Sequence, residues 1–460
     1  MIYDYISLDR LSKQPLYVQL YSTIKSNIEN GNIQKNIKLP SIRKLSEDLK
    51  ISKTTVENAY SQLCAEGYII NKPQSGYYTA QLLINSNNKT HISDISDKNR
   101  IESNFKYDFT GKSVDIGDIS LKLWKKYIRY IINCEYLITS YGHPQGERSL
   151  REALSKYSYS VRGVVANSDD IIIGAGTQPL LYLLCGLLRK SYGNTIAIEK
   201  YGFTYAEKVF EDCNINIDKI DCDEDGIIID SLEKSQARIL LINPSGNLQT
   251  GNALKVDRRT AVLNWAERNN CIIIEDDYNG ELKYSTNPVP AMQGYNKNRV
   301  VYLGSFSKLL LPSVRISYMV LPGDLLEIYN NSQHMYNQTA SKMEQLALGK
   351  YIADGQLERS LRRLRKIYRD KSEYMIKVLY DVFGDDIKVS LKETSLCVNV
   401  VFLKGTSVLY LKQILAEKGV KIISSLYNES AMDLSFSGIE KDKILQGVEI
   451  IKNAVITYKE

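Results

Sequence analysis

Along the first eighty residues, apolar positions follow a helical period three times and then give way to short β-branched and aromatic runs. Leu16, Leu20, Ile24 and Ile28 recur every four residues, which predicts a helix with a narrow apolar stripe that stops near Gly31. Ile42, Leu45 and Leu49 stripe a second helix opened by Pro40-Ser41. Val56, Ala59, Tyr60 and Leu63 stripe a third, with Ser52 as N-cap and Gly67 as stop. Tyr68 to Ile70 and Tyr77 to Thr79 then flank a turn at Asn71 to Gly76, the pattern of strand, turn, strand. A very short turn between the second and third helices makes the whole a helix-turn-helix with a wing.

From about Gln81 to Asn104 the chain carries Asn, Ser, Lys and Asp with little periodicity. Such a composition buries too little surface to offset its ordering entropy and reads as a linker. Beyond Phe105, apolar runs at Ile171-Ile173, Thr195-Ile198, Ile239-Ile242, Cys271-Ile274 and Val300-Leu303 alternate with amphipathic stretches. Strands separated by helices require crossovers, so an α/β unit with a mostly parallel central sheet is expected. The expected domains are 1–80, a linker at 81–104, and 105–460.

The length of 460 residues suggests roughly three folding units at about 150 residues each. With 43% hydrophobic and 24% charged residues, the chain is not wholly disordered. Its net charge of +6 is mild, so a case for DNA binding must rest on local features. The apolar run Leu180 to Leu188 falls short of the ~18 residues of a membrane span. The opening Met-Ile-Tyr-Asp-Tyr has neither the basic nor the apolar region of a signal peptide. Seven cysteines without a CxxC pair, and three histidines, argue against a zinc site and for reduced thiols in a cytoplasmic protein.

A recognition helix must offer short polar donors at its N-terminus. Ser52, Lys53, Thr54 and Thr55 supply them, while Ser41 and Arg43 open the preceding helix and Lys72, Ser75 and Gly76 form the wing tip. Residues 1–80 hold ten Lys+Arg against seven Asp+Glu, so a small helical protein-interaction module is the alternative on composition alone. The wording Leu39-Pro-Ser-Ile-Arg-Lys-Leu-Ser followed by Ile51-Ser-Lys-Thr-Thr-Val-Glu-Asn-Ala-Tyr-Ser-Gln-Leu-Cys-Ala-Glu-Gly-Tyr resembles the winged-helix domain of the GntR family. Ser46 stands where that motif has alanine, and the wing keeps one of its two glycines.

In the larger part, Tyr302-Leu-Gly-Ser-Phe-Ser-Lys308 is followed seven residues later by Arg315. A lysine among small hydroxylated residues after a strand suits a phosphorylated aldehyde: the amine forms a Schiff base while Ser305, Ser307 and Arg315 bind phosphate. Asp276-Asp277-Tyr278 lies at a strand's carboxyl end, where a carboxylate can keep a pyridine nitrogen protonated. Gly174-Ala-Gly-Thr-Gln precedes a helix and offers backbone N–H groups to phosphate. Phe203 follows a strand and can stack on an aromatic ring, and Asn243 begins a further loop after a strand.

These segments resemble the fold-type I aminotransferases, and with the winged helix they resemble the MocR subfamily of GntR regulators. The likeness extends to Tyr141-Gly-x-Pro-x-Gly-x-x-x-Leu-Arg and to the basic helix from Leu361 to Arg369. The resemblance implies that Lys308 carries pyridoxal 5′-phosphate (PLP), that Tyr278 donates to its O3′ and that Phe203 stacks on its ring. It implies Asp276 as the pyridine partner, with Asp277 as the other choice. By the same likeness Gly176, Thr177, Ser305, Ser307 and Arg315 hold phosphate, Asn243 belongs to the cofactor set, and Tyr141 reaches into a homodimer partner's site.

Aminotransferases hold the substrate carboxylate with a small-domain arginine, because a planar fork matches a carboxylate. No arginine follows Arg369 here, and the expected region offers Met432 and Asp433. Tyr205 stands where amino-acid-sensing members have another arginine; Lys421 is a candidate substitute. The absences speak against transamination. They favour a non-enzymatic regulator that binds a double-stranded DNA operator and senses PLP itself, controlling vitamin B6 genes. An amino acid or amine effector bound through PLP is the alternative, and an aminotransferase with a DNA-binding arm is the rival.

Overall fold

A computed structural model describes residue 6 and residues 8–12, 14–80, 105–115, 117–247, 250–285, 289–425 and 427–459. The expected linker at 81–104 lies outside the described residues. The chain divides into two compact units, Met1–Ile101 and Glu102–Glu460.

In the first unit, α1 (Leu16–Glu29), α2 (Ile42–Asp48) and α3 (Lys53–Ala65) precede the antiparallel hairpin of β1 (Ile69–Lys72) and β2 (Gly76–Thr79). Both predicted caps form: Ser41 Oγ accepts from Lys44 N at 3.2 Å and Ser52 Oγ from Thr55 N at 3.1 Å. Each such cap is worth about 1 kcal/mol. The stripes converge on a core in which Leu20, Leu45, Val56, Ala59, Tyr60 and Leu63 are fully buried. Tyr60 OH donates to the Pro40 carbonyl at 3.0 Å, tying α3 to the turn that starts α2. Ser46, in the place of the motif's alanine, is accommodated by donating to the Arg43 carbonyl at 2.8 Å. The wing turns through Gln74 (φ 60°) and Gly76 (φ 104°), and the latter backbone is open in practice only to glycine.

The second unit is built on a seven-stranded sheet. In chain order its strands are β3 (Ile171–Gly174), β4 (Thr195–Glu199), β5 (Asn216–Ile220), β6 (Ile239–Ile242), β7 (Ile272–Asp277), β8 (Val300–Ser305) and β9 (Ser317–Val320). Their spatial order is β3-β9-β8-β7-β6-β4-β5, parallel except for β9, which runs antiparallel to both neighbours. A smaller antiparallel sheet of four strands follows, with β10 (Ile387–Lys392), β11 (Cys397–Phe402), β12 (Ile423–Ser424) and β13 (Ala431–Ser435) in the order β10-β11-β13-β12. The five expected strands of the large sheet are present. β5 escaped the pattern because it is an edge strand with polar residues, Asn216, Asp218 and Lys219, at three of five positions. Among the described residues no helix is long and apolar enough to cross a membrane, and no cluster of three metal-ligating side chains occurs.

Candidate DNA-contact surface and cofactor cavity

On the winged helix, Lys53 and Thr54 at the start of α3 are exposed, as are Ser41, Arg43 and Ser52. Thr55 is half-buried, and its hydroxyl pairs with that of Ser52 at 2.8 Å. The Ser41 and Ser52 oxygens thus have a structural duty as caps, and the donors left for a nucleic acid are chiefly Lys53, Thr54 and Arg43. Arg43 forms an exposed ion pair with Glu47 at 3.0 Å, a contact weak enough to yield to a phosphate or a base. At the wing tip, Lys72 Nζ lies 4.5 Å from the centre of the Tyr78 ring, and Ser75 Oγ is 2.7 Å from the Tyr78 hydroxyl. Tyr78 therefore braces both wing-tip side chains that the sequence singles out.

In the second unit, a cavity of about 590 Å³ opens between the ends of the large-sheet strands and the small sheet. Nine of the eleven residues named from the sequence line it: Thr177, Phe203, Asn243, Asp276, Tyr278, Ser305, Ser307, Lys308 and Arg315. They converge because β4, β6, β7 and β8 are parallel, so the loops after all four strands emerge at one edge.

Lys308 reaches the cavity from the loop after β8, where its Nζ donates to the carbonyl of Gly111. Burial lowers its pKa from the ordinary lysine value, which favours the neutral amine a nucleophile needs. At the end of β7 the two adjacent aspartates part company, since successive strand residues face opposite ways. Asp276 lines the cavity and its carboxylate makes no hydrogen bond to the described residues. Burial, with the charge of Asp277 adding, pushes its pKa up to about 7. Asp277 instead lies in the protein interior, where Arg162 Nε meets it at 2.6 Å and Ser245 Oγ and Tyr302 OH donate to it at 2.8 Å. Tyr278 stands half-buried beside Asp276, and burial raises its phenol pKa.

Ser305, Ser307 and Arg315 face Thr177, which begins α4 (Thr177–Ser191). Arg315 Nη1 donates to Ser307 Oγ at 3.5 Å. Gly176 precedes the helix with φ 102°, and a Cβ there would stand 2.6 Å from Arg315 Nη2. The missing side chain leaves room between a helix N-terminus and a guanidinium, a cradle of the size and charge for a phosphate. Arg315 itself holds a left-handed backbone (φ 50°), a conformation that costs a non-glycine residue on the order of 1 kcal/mol. With Lys308 and the Asp276–Tyr278 pair, the donor set suits a phosphorylated pyridine aldehyde.

Two expectations take a different form. Tyr141 is fully exposed and does not line the cavity of its own chain. Lys421 does not substitute for the absent arginine: Val420 and Lys421 pair with Tyr107 and Asp108 in a separate two-stranded sheet, and Lys421 Nζ lies 4.8 Å from the Phe105 ring centre. The sequence reading also missed cavity residues. Thr110 and Gly111 enter from the described segment that begins at Phe105, and Glu199 from the end of β4. Burial pushes the Glu199 carboxyl up to about 7, while the side chain of Asn247 donates to it at 3.0 Å. On the small-sheet side, Asp433 lines the cavity and accepts from Asn399 Nδ2 at 2.7 Å and from Lys392 Nζ at 3.1 Å. A buried acid closing an otherwise apolar strand was the signal available for Glu199; no local pattern marks Thr110 or Gly111.

Residues 119–451 match the family model of aminotransferase class I and II, and residues 16–78 match that of the bacterial regulatory proteins of the gntR family. An uncharacterized HTH-type transcriptional regulator of Bacillus subtilis (strain 168), YdeL, is 35% identical across 97% of this chain and 98% of its own. The probable rhizopine catabolism regulatory protein MocR of Rhizobium meliloti is 25% identical across 98% and 96%. The HTH-type pyridoxine biosynthesis transcriptional regulator PdxR of Corynebacterium glutamicum is 27% identical across 83% and 81%. Among solved structures, the kynurenine aminotransferase of Pyrococcus horikoshii superposes with a TM-score of 0.67 at 22% identity, over 77% of this chain and 91% of its own, a likeness of fold. A winged helix and a fold-type I aminotransferase-like unit in one chain, matched end to end by regulators, place the protein in the MocR subfamily of GntR-type transcriptional regulators.

Proposed function

We propose that this regulator binds PLP at Lys308 and that PLP occupancy is itself the signal that changes its affinity for DNA. The reading extends to control of vitamin B6 synthesis or salvage genes by a cytoplasmic homodimer that places two winged helices on two half-sites. The observation that carries it is the cavity's make-up: groups suited to PLP line its large-sheet side, and Asp433 stands on the other side, in a region without arginine. The likeness to a regulator named for pyridoxine biosynthesis adds support.

In this assignment PLP, when bound, would supply an electrophilic aldehyde. Lys308 would provide the amine for it, its pKa lowered by burial. Asp276, pushed up to about 7 and without a hydrogen-bond partner among the described residues, would pair with the pyridine nitrogen; an approaching positive charge would return it to the ionised form. Tyr278 would donate to the ring oxygen, Phe203 would cover the ring face and Asn243 would complete the set around it. Arg315, Ser305, Ser307, Thr177 and the backbone at Gly176 would hold the phosphate. Tyr141, exposed in one chain, is assigned to the site of a second copy. Without an arginine to clamp an α-carboxylate, productive transamination is not part of this function.

The test is DNA affinity for the protein's own upstream region, measured by fluorescence anisotropy at one fixed salt concentration while PLP alone is titrated. Salt must be held because phosphate contacts make affinity steeply dependent on it. A PLP-dependent shift is expected. Tight DNA binding that PLP leaves unchanged would reject PLP as the signal.

A further inference from the structure

The small-sheet wall of the cavity is chemically unlike the wall assigned to PLP. We propose that it admits a second ligand, a small aliphatic amine carrying a protonated nitrogen and no carboxylate, which is received by Asp433. This inference rests on the reading that PLP occupies the Lys308 side.

Asp433 belongs to β13 and its side chain is 17% exposed, whereas its ion-pair partner Lys392 is 1% exposed and is not among the cavity-lining residues. The carboxylate therefore faces the cavity and the ammonium stands behind it. Burial opposes the Lys392 charge, but Asp433 and Tyr427 outweigh it and hold its pKa above the ordinary lysine value. One bond from Asn399 and one from Lys392 reach different carboxylate oxygens, so each oxygen keeps a lone pair for a donor arriving from the cavity.

The surroundings point to a donor as well. Asn279 lines the cavity, is 3% exposed, and its Oδ1 has no hydrogen-bond partner. The rings of Tyr201 and Tyr427 approach to 5.9 Å, and those of Phe203 and Tyr205 to 6.1 Å, so aromatic faces flank the cavity where a cation is favoured. Lys308 and Arg315, the cations among the described residues that line the cavity, would be engaged by PLP in the assignment above. An entering carboxylate would meet Asp433 without a cation of its own, whereas an ammonium would find acceptors and rings. Selectivity of this kind comes from rejecting the wrong charge as much as from holding the right one.

The probes are 1,4-diaminobutane and 4-aminobutanoate, which share a chain of four carbons and differ in the charge at one end. Each is titrated calorimetrically into the PLP-loaded full-length protein. We expect the diamine to bind at least about tenfold more tightly than the amino acid, a preference of the size that one charge contact commonly supplies. Asp433→Asn should abolish the preference. Because that change removes the carboxylate that neutralises the buried Lys392, the double variant Asp433→Asn, Lys392→Met is measured too, with thermal melting as the check of folding. Equal binding, or tighter binding of 4-aminobutanoate, would overturn the proposal, as would a diamine preference that survives in the folded double variant. PLP uptake is followed on the same samples by its Lys308-dependent visible absorption. Absence of uptake would count against the PLP reading alone, because the same pair of titrations on the PLP-free chain still reports the charge preference.

Discussion

The two walls of one cavity differ in their chemistry. On the large-sheet side, Lys308, Asp276, Tyr278, Thr177 and Arg315 form the constellation that the aminotransferase likeness implies. On the small-sheet side, where aminotransferases place an arginine, this chain presents Asp433, with Lys392 and Asn399 behind it. A cofactor site and a substrate site thus differ in how much a change of purpose costs. The first must satisfy one fixed molecule through many coupled contacts. The second depends on a single fork-shaped cation, and its loss removes substrate grip without disturbing the cofactor's surroundings.

The contrast can be broken most decisively at its centre. Lys308→Ala should eliminate PLP retention through dialysis, an all-or-none effect read by visible absorption. Retention in that variant would place the attachment elsewhere.

The next largest effect separates the neighbouring aspartates. Asp277→Asn removes the partner of a fully buried Arg162, so a loss of about 3–5 kcal/mol in folding stability is expected from denaturant melts. Asp276→Asn has no such partner to strand and should leave stability near wild type while weakening PLP binding. The reverse pattern would exchange their roles.

On the DNA-binding unit, Arg43→Ala should cost about 1–3 kcal/mol of DNA affinity if the side chain reads a base, and should do so selectively at one operator position. A uniform loss across sequences with a shallower salt slope would make it a phosphate contact instead.

The smallest effect is a pH slope. Glu199 and Asp276 both stand at about 7, raised by burial, so folding favours their protonated forms. The stability they contribute is fully present below the ordinary carboxylate value of about 4 and is lost as pH rises through 7. PLP-free protein should therefore melt at a lower temperature at pH 8 than at pH 6. PLP, by placing a protonated ring nitrogen beside Asp276, should flatten that dependence. A PLP-free melt indifferent to pH would remove the argument from burial.

Much of the large-sheet wall was legible in the sequence because each residue closes or follows a recognisable apolar run. Asp276 and Tyr278 end or follow β7, Lys308 follows β8, and Thr177 opens a helix directly after β3. Parallel strands then bring those ends together. The choice between Asp276 and Asp277 was not legible, since it depends on which face of β7 meets Arg162, 115 residues away in the chain. β9 was also missed: its four residues begin just after the Arg315 turn, and its antiparallel course is set by pairing with β8 and β3 rather than by any local pattern. The small-sheet wall was legible only as an absence. That Asp433 faces the cavity while Lys392 hides behind it follows from the register of β11 and β13, where Asn399 stands opposite Asp433. In the winged helix, by contrast, stripes, caps and turn glycine all lie within a few residues of the features they specify.

Reciprocity offers the most direct test of the central claim that PLP occupancy and DNA binding are coupled. If PLP changes DNA affinity by some factor, DNA must change PLP affinity by the same factor. PLP affinity should be measured by absorption titration of the full-length protein, with and without a saturating upstream DNA fragment at one salt concentration. The account predicts a shift in PLP affinity equal to the shift in DNA affinity, with no PLP-dependent change in DNA affinity for Lys308→Ala. A PLP affinity that DNA leaves untouched would contradict it.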